Sequence, residues 1–387
     1  MDLICYSHLR WNFVYQRPQH LLTRFSKDYR VFYVEEPERS VEARTPAFSL
    51  KKIKQDLWVV TPVFPESFPQ EQICPTLKDL LEDLISTHRI HPDIFWYYTP
   101  MALDFTRDFR PELVVYDCMD ELSNFKFAPP ELKVLEAELF KKAHVVFTGG
   151  HNLYSTKKNL HSNIWPVPSS IEKEHFMQAR KKMNAPADQA NIGFPRIGFY
   201  GVIDERFDLE LLRASAKRRP DWNFVIIGPV TKIDESELPR LENIFYLGSK
   251  KYEELPSYLG GWQMAMIPFL LNDATRYVSP TKTPEYLAAG VPVVSTRIVD
   301  VVTPYGDENI THIVDNAEQL VDACNFEFSR KDKKWLKKVD IFLKDNSWDN
   351  TWQFMQQKIT ITNRKQGKVI PINRSELITP IKTAINV

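Results

Sequence analysis

Between Arg276 and Thr296 the sequence reads RYVSPTKTPEYLAAGVPVVST, and few folds accommodate it. A polar loop leads into a short helical segment, Gly290 stops it, and the β-branched run VPVVST follows at once. Loop, helix, glycine and buried strand in that order make one αβ unit of a parallel sheet. Thr283 is the favoured N-cap, with Pro284 at the first helical position and Ala288, Ala289 and Gly290 closing the helix. The rival start, Ser279 before Pro280, would place Pro284 inside the helix and forfeit a backbone bond. Under either start, unpaired N–H groups point out beside Ser279, Thr281, Lys282 and Thr283. Such a terminus attracts anions: the dipole contributes about 0.3–1 kcal/mol and each charge-assisted hydrogen bond about 1.5–3. A diphosphate touching three of these donors is held without a metal. The plain alternative is an ordinary αβ unit with a common hydroxyl cap.

The succession Lys282, Glu285, Ala-Ala-Gly and Pro-Val-Val resembles the nucleotide-sugar-dependent glycosyltransferases of the GT-B fold, especially the large family-four group. That group carries an E-x7-E pattern before a small-small-Gly helix end and a strand such as PVVST. Its second glutamate matches Glu285, which the resemblance implies holds the ribose hydroxyls of a sugar nucleotide. Its first falls on Tyr277, so the pattern is half present. The resemblance spans about residues 1–361 and is specific at 279–296.

At 387 residues the chain exceeds one comfortable core and suits two domains of about 150–200 residues. Charged residues are 26% and cancel to zero, which argues against nucleic acid as a partner. Four cysteines, Cys5, Cys74, Cys118 and Cys324, lie far apart without zinc or disulfide spacing, as fits a reducing cytoplasm. The opening MDLICYSHLRW is not a signal peptide, and no apolar run is long enough to span a membrane. Peripheral contact with the inner membrane face stays open.

The first half alternates strand and helix signals. DLICY is a strand; the loop Ser7–Arg17 follows, then a helix from Pro18; a second strand runs from Arg30 to Val34. The loop faces the expected cleft and offers His8 and Arg17 as acceptor-side contacts, against the reading that Arg17 merely ties the loop down. His8 has the titration range of an acid/base. Further strands are read at Leu57–Pro62, Ile94–Tyr98, Leu113–Tyr116, Val145–Thr148 and Ile164–Val167. Leu113–Tyr116 runs directly into Asp117 and Asp120, at the strand end where open sheets bind ligands. Either carboxylate suits a general base toward an acceptor hydroxyl; capping and solvation are the alternative.

Lys181–Pro195 breaks periodicity and reads as a linker. RIGFY then opens a second alternating unit ending at Gly201, and the resemblance implies that this glycine and its loop approach the donor phosphates. Arg206 and Arg276 are the candidate cations to stabilise a leaving diphosphate together with Lys282. Strands at Asn223–Ile227 and Ile244–Leu247 end at Gly228 and Gly248; Gly228 and Ser249 are expected on the donor side. Trp348–Thr360 is read as a last helix that crosses back to the first domain.

The expected architecture is therefore α/β: two doubly wound Rossmann-like domains facing a cleft. The acceptor domain spans 1–180, the donor domain 196–345, the crossing helix 346–361 and a tail 362–387. The expected activity is transfer of a sugar from a UDP- or GDP-linked donor to a saccharide or lipid-linked acceptor, in bacterial surface polysaccharide or glycolipid synthesis. It needs no further cofactor and no metal, and by the family's pattern it retains anomeric configuration. The alternatives are an epimerase or phosphorylase on the same fold, and a catalytically silent scaffold.

Overall fold

The computed structural model describes residues 1–330 and 334–365. In its first half, nine strands form one sheet: β1 (Asp2–Tyr6), β2 (Arg30–Val34), β3 (Glu38–Ser40), β4 (Ala47–Lys54), β5 (Leu57–Pro65), β6 (Ile94–Tyr97), β7 (Leu113–Cys118), β8 (Val145–Thr148) and β9 (Ile164–Pro166). Their order is β3-β5-β2-β1-β6-β7-β8-β9, all parallel, with β4 added antiparallel on β5. Every residue of β1 is buried; Leu3 and Cys5 enter the core on one face, Ile4 and Tyr6 the core on the other. That is the mark of a strand covered on both sides by helices. β3 and β4 were not expected. Of β4, Phe48, Leu50 and Ile53 touch the core from partly buried positions, while Lys51, Lys52 and Lys54 are exposed, so an apolar run never appears. Lysines of this kind discourage pairing along an open sheet edge.

The second half contains β10 (Arg196–Tyr200), β11 (Asn223–Ile227), β12 (Ile244–Tyr246), β13 (Met264–Ile267), β14 (Val293–Ser295) and β15 (His312–Ile313), in the parallel order β12-β11-β10-β13-β14-β15. Both sheets thus step outward from a central strand in two directions, the doubly wound pattern. The stretch read as a linker is docked rather than loose. It holds a helical turn, Ala187–Ala190, whose buried Gln189 accepts from Trp262 Nε1 at 2.8 Å and donates to the Tyr258 carbonyl at 3.1 Å.

The last helix, Trp348–Lys365, runs past the expected end and covers the first sheet, with Trp348, Met355 and Ile359 in its core. Trp348 stacks on His20 at 4.6 Å and 10°. Residues 331–333, and the expected tail from residue 366 onward, lie outside the described residues. Among the described residues no helix is long and apolar enough to cross a membrane.

Contacts between the two halves include three clusters among the described residues. Asn124 Nδ2 donates to the Asp273 carbonyl at 3.0 Å, and Lys126 Nζ to the Lys232 carbonyl at 3.2 Å. Tyr15 lies 4.8 Å from Tyr252. At the third, Asp300 accepts from the backbone of His151 at 3.1 Å and Asn152 at 3.0 Å, so one half caps the helix His151–Lys157 of the other.

Candidate active site between the two sheets

Parallel strands deliver their following loops to one edge, and here β10, β11 and β12 end in Gly201, Gly228 and Gly248. Gly228 donates to the Gly248 carbonyl at 3.0 Å, and Gly201 to the Ile227 carbonyl at 2.9 Å. A Cβ on Gly228 would fall 1.8 Å from the Gly201 carbonyl oxygen, so these turns stack too closely for any side chain. Gly201 has φ +142, and a Cβ there would lie 2.2 Å from Lys282 Cε and 2.8 Å from its Nζ. The missing side chain is what lets Lys282 lie over the strand end.

The helix carrying Lys282 runs from Lys282 to Ala288, with Thr281 as N-cap. This corrects the expected start: Thr283 is inside the helix, fully buried with its hydroxyl unpartnered, and the Thr281 side chain makes no capping bond. Pro284 is tolerated in the first turn because its missing N–H has no intrahelical acceptor there. Lys282 has no carboxylate within ion-pairing distance among the described residues; its ammonium lies over the Phe199 ring, 5.8 Å from the centroid. Burial pushes its ammonium down to about 8, Arg206 pushes the same way, and Glu285, Asp204 and Asp120 oppose. Charges from both halves therefore bear on this cation.

Glu285, one turn along the same helix, is buried, and one oxygen accepts from the Tyr200 hydroxyl at 2.5 Å. Burial raises its carboxyl to about 7, while Tyr200 and then Lys282 work against the rise. Arg206 is committed to Asp204, not to Glu205 or Asp208: Nε and Nη2 fork onto the carboxylate at 2.9 and 2.7 Å. Its guanidinium also lies 5.4 Å from the Phe125 ring and 5.9 Å from Phe269. From the first half comes Asp120, partly buried, its carboxyl raised to about 6 by burial against the pull of Arg206, Arg17 and Lys282. Lys282, Arg206, Asp204 and Asp120 therefore form one charged cluster drawn from both sheets.

Other expected residues stand elsewhere. Asp117 and Arg17 are fully buried in each other's company. Nη2 of Arg17 lies 2.8 Å and its Nε 3.1–3.2 Å from the Asp117 oxygens, and Nη1 donates to the Val167 carbonyl at 2.7 Å. A carboxylate so engaged is no base and a guanidinium so engaged reaches no acceptor; the pair ties the loop after β1 to β7 and the exit of β9. His8 is partly buried, and burial, helped by Lys232, lowers it to about 4. It is neutral at pH 7 and a poor proton acceptor. Arg276 is exposed, lies 5.5 Å over Tyr277, and is not among the charges bearing on Lys282 or Asp120. Ser279 serves the contact between halves: a Cβ on Gly150 would fall 2.9 Å from the Ser279 Cβ and 2.1 Å from Asp300 Oδ2. Ser249 is exposed in the turn after β12. Sequence reasoning missed Tyr200 and Asp204; only the i, i+2 spacing of Asp204 and Arg206 hinted at the second.

Residues 195–326 match the family model described as glycosyl transferases group 1. A curated relative is 26% identical over 267 residues, covering 65% of this chain and 66%, just under two thirds, of its own length. It is TuaH of Bacillus subtilis (strain 168), named as a glycosyltransferase of teichuronic acid biosynthesis. Among solved structures, sucrose-phosphate synthase from Thermosynechococcus elongatus aligns with a TM-score of 0.67 at 13% identity, over 95% of this chain and 99% of that one. A trehalose-6-phosphate structure from E. coli, bound with UDP-2-fluoro glucose, gives 0.66 at 13% identity, over 94% and 99%. An Anabaena protein, HepE, in complex with UDP and glucose gives 0.59 at 14%, over 95% and 98%. These structures fix the fold of the chain.

Proposed function

We propose that this chain, whose residues 195–326 match the group 1 glycosyl transferases and whose fold is that of GT-B structures, transfers a sugar from a nucleoside-diphosphate donor to an acceptor hydroxyl. The donor sits on residues 196–345 and the acceptor on residues 1–180. The observation that carries the proposal is Lys282: a partly buried cation with no carboxylate in ion-pairing distance among the described residues, laid over Gly201 at the strand ends where the two halves face each other.

In the reaction the bond from the anomeric carbon to the diphosphate oxygen breaks as the acceptor oxygen bonds to that carbon. Negative charge grows on the leaving diphosphate, where Lys282 and Arg206 stabilise it. The acceptor proton passes to Asp120, whose carboxyl titrates near the working pH. Glu285 receives the ribose hydroxyls. Independence from a metal is part of the proposal and rests on these two cations. Retention of configuration rests on the family resemblance. The acceptor class is a bacterial surface polysaccharide or its lipid-linked precursor, supported by the naming of the teichuronic acid relative.

A thermal-shift panel of nucleoside diphosphates and nucleotide sugars tests the donor site. A ligand at 100 times its dissociation constant adds about 2.7 kcal/mol. Lys282→Ala and Glu285→Ala should each abolish the best ligand's shift while the free protein stays folded. Undiminished shifts in both variants reject the site.

A further inference from the structure

We infer that Tyr200 is a positioning residue of the nucleotide site: its hydroxyl holds one oxygen of Glu285 so that the other faces the gap between the halves and receives a vicinal diol. The inference rests on the donor reading of Glu285 and adds the residue that makes that reading geometrically specific.

The two side chains come from different elements, the end of β10 and the helix Lys282–Ala288, and meet only through this fold. Tyr200 Oη donates to Glu285 Oε2 at 2.5 Å. Oε1 has no hydrogen-bond partner among the described residues, yet it is not sealed from solvent. One oxygen is therefore fixed and the other left available, the arrangement a carboxylate needs to accept from two adjacent hydroxyls.

Tyr200 itself cannot drift. Its N–H donates to Tyr286 Oη at 3.0 Å, and its ring meets the Tyr286 ring edge-on at 4.8 Å and 80°. Trp262, which would collide with any side chain on Gly198, lies 6.3 Å from it. The apolar packing needs only the ring. A phenylalanine would fill the same space, so the hydroxyl's one evident task is the carboxylate. A buried hydrogen-bonded pair of this kind contributes little net stability, because desolvating both groups offsets the bond. Orientation accounts for it better than stability does.

The groups bearing on the Glu285 carboxylate are Lys282 on its own helix, Tyr200 and Tyr286 around the end of β10, Glu172 on the segment leaving the first sheet, and Tyr252 after β12. Of these, Tyr200 and Lys282 favour the charged form, while burial and Glu172 oppose it. Removing the Tyr200 hydroxyl therefore moves the protonation of Glu285 to higher pH.

The test is calorimetric titration of the full chain with UDP, GDP and ADP in turn, from pH 5.5 to 8.5, on wild type, Tyr200→Phe and Glu285→Gln. Wild type should bind one nucleotide with an affinity that falls as pH drops through about 7. Tyr200→Phe should bind it about fivefold or more weakly at pH 7, with the midpoint raised by about half a unit or more. Glu285→Gln should lose that pH dependence. The midpoint is read on folded protein below its melting temperature, so a change in stability alone does not move it. If Tyr200→Phe matches wild type in affinity and midpoint while Glu285→Gln is weak, the positioning role is wrong and the donor site stands. If wild type binds none of the three, the donor reading fails and this inference falls with it.

Discussion

Gly201→Ala adds one methyl group and should weaken nucleotide binding by displacing the Lys282 side chain. The new Cβ would sit 2.2 Å from Lys282 Cε and 2.8 Å from Nζ, so the ammonium must swing away from the strand end. The backbone at φ +142 adds strain of about 1–3 kcal/mol for a residue with a Cβ. Losing the lysine from a diphosphate forfeits at least one charge-assisted hydrogen bond, about 1.5–3 kcal/mol, or roughly 10- to 150-fold in dissociation constant. Calorimetry should therefore show at least about tenfold weaker binding of the best nucleoside diphosphate. Lys282→Ala should lose a similar amount, and the double variant should bind no more weakly than Lys282→Ala alone. Melting separates the two effects, because Gly201→Ala carries the backbone strain and Lys282→Ala does not. Wild-type affinity in Gly201→Ala, or a loss that adds in full to that of Lys282→Ala, refutes the idea that the glycine acts by making room for the lysine.

Asp120→Asn should lower turnover by about 10²–10⁴-fold in a sugar-transfer assay while nucleoside diphosphate affinity stays within about threefold; a wild-type rate removes Asp120 from the chemistry. For Glu285 the sign follows from a folded value near 7, above that of a free carboxyl. The folded chain binds this proton more tightly than the unfolded one, so the contribution to stability is full below about 4.5 and is lost as pH rises through 7. Glu285→Gln should thus gain in melting temperature relative to wild type between pH 5 and pH 8, and a constant difference would contradict the burial argument.

The alternation of apolar runs and helical segments made both sheets legible, because strands buried on both faces read as continuous VVFT- or NFVII-like stretches. β4 was not, since an edge strand needs apolar residues at only a few positions. The site was legible where chemistry is local: Lys282 and Glu285 share one helix, and Gly201 and Gly228 end adjacent strands. It was illegible where distant segments decide. Asp117 and Asp120 look equivalent in sequence, yet Arg17, a hundred residues away, consumes the first and leaves the second at the gap. Likewise nothing near Glu285 in sequence announces that Tyr200 holds it.

Tyr277 stands where the family resemblance places the first glutamate of the pattern, and its surroundings disfavour a carboxylate there. Its ring packs on the core of the first half and lines a shallow pocket with Glu121, Lys133 and Glu136. Glu121 and Glu136 already share the nearly buried Lys157 ammonium, each at 2.8 Å, and Glu136 also accepts from Tyr116 Oη at 2.7 Å. A third carboxylate would enter a site whose buried cation is spoken for, with only Lys133 and the exposed Arg276 left to face it. Tyr277→Glu should therefore destabilise the chain by about 1–3 kcal/mol, seen as a lower melting temperature that recovers toward pH 4 as the new carboxyl takes up a proton. A melting temperature equal to wild type at pH 7, with faster sugar transfer, would show that the position still faces the donor. Under the proposed donor reading, the carboxylate offered to the donor sugar is then Asp120 of the opposite half, which bears on both Lys282 and Arg206.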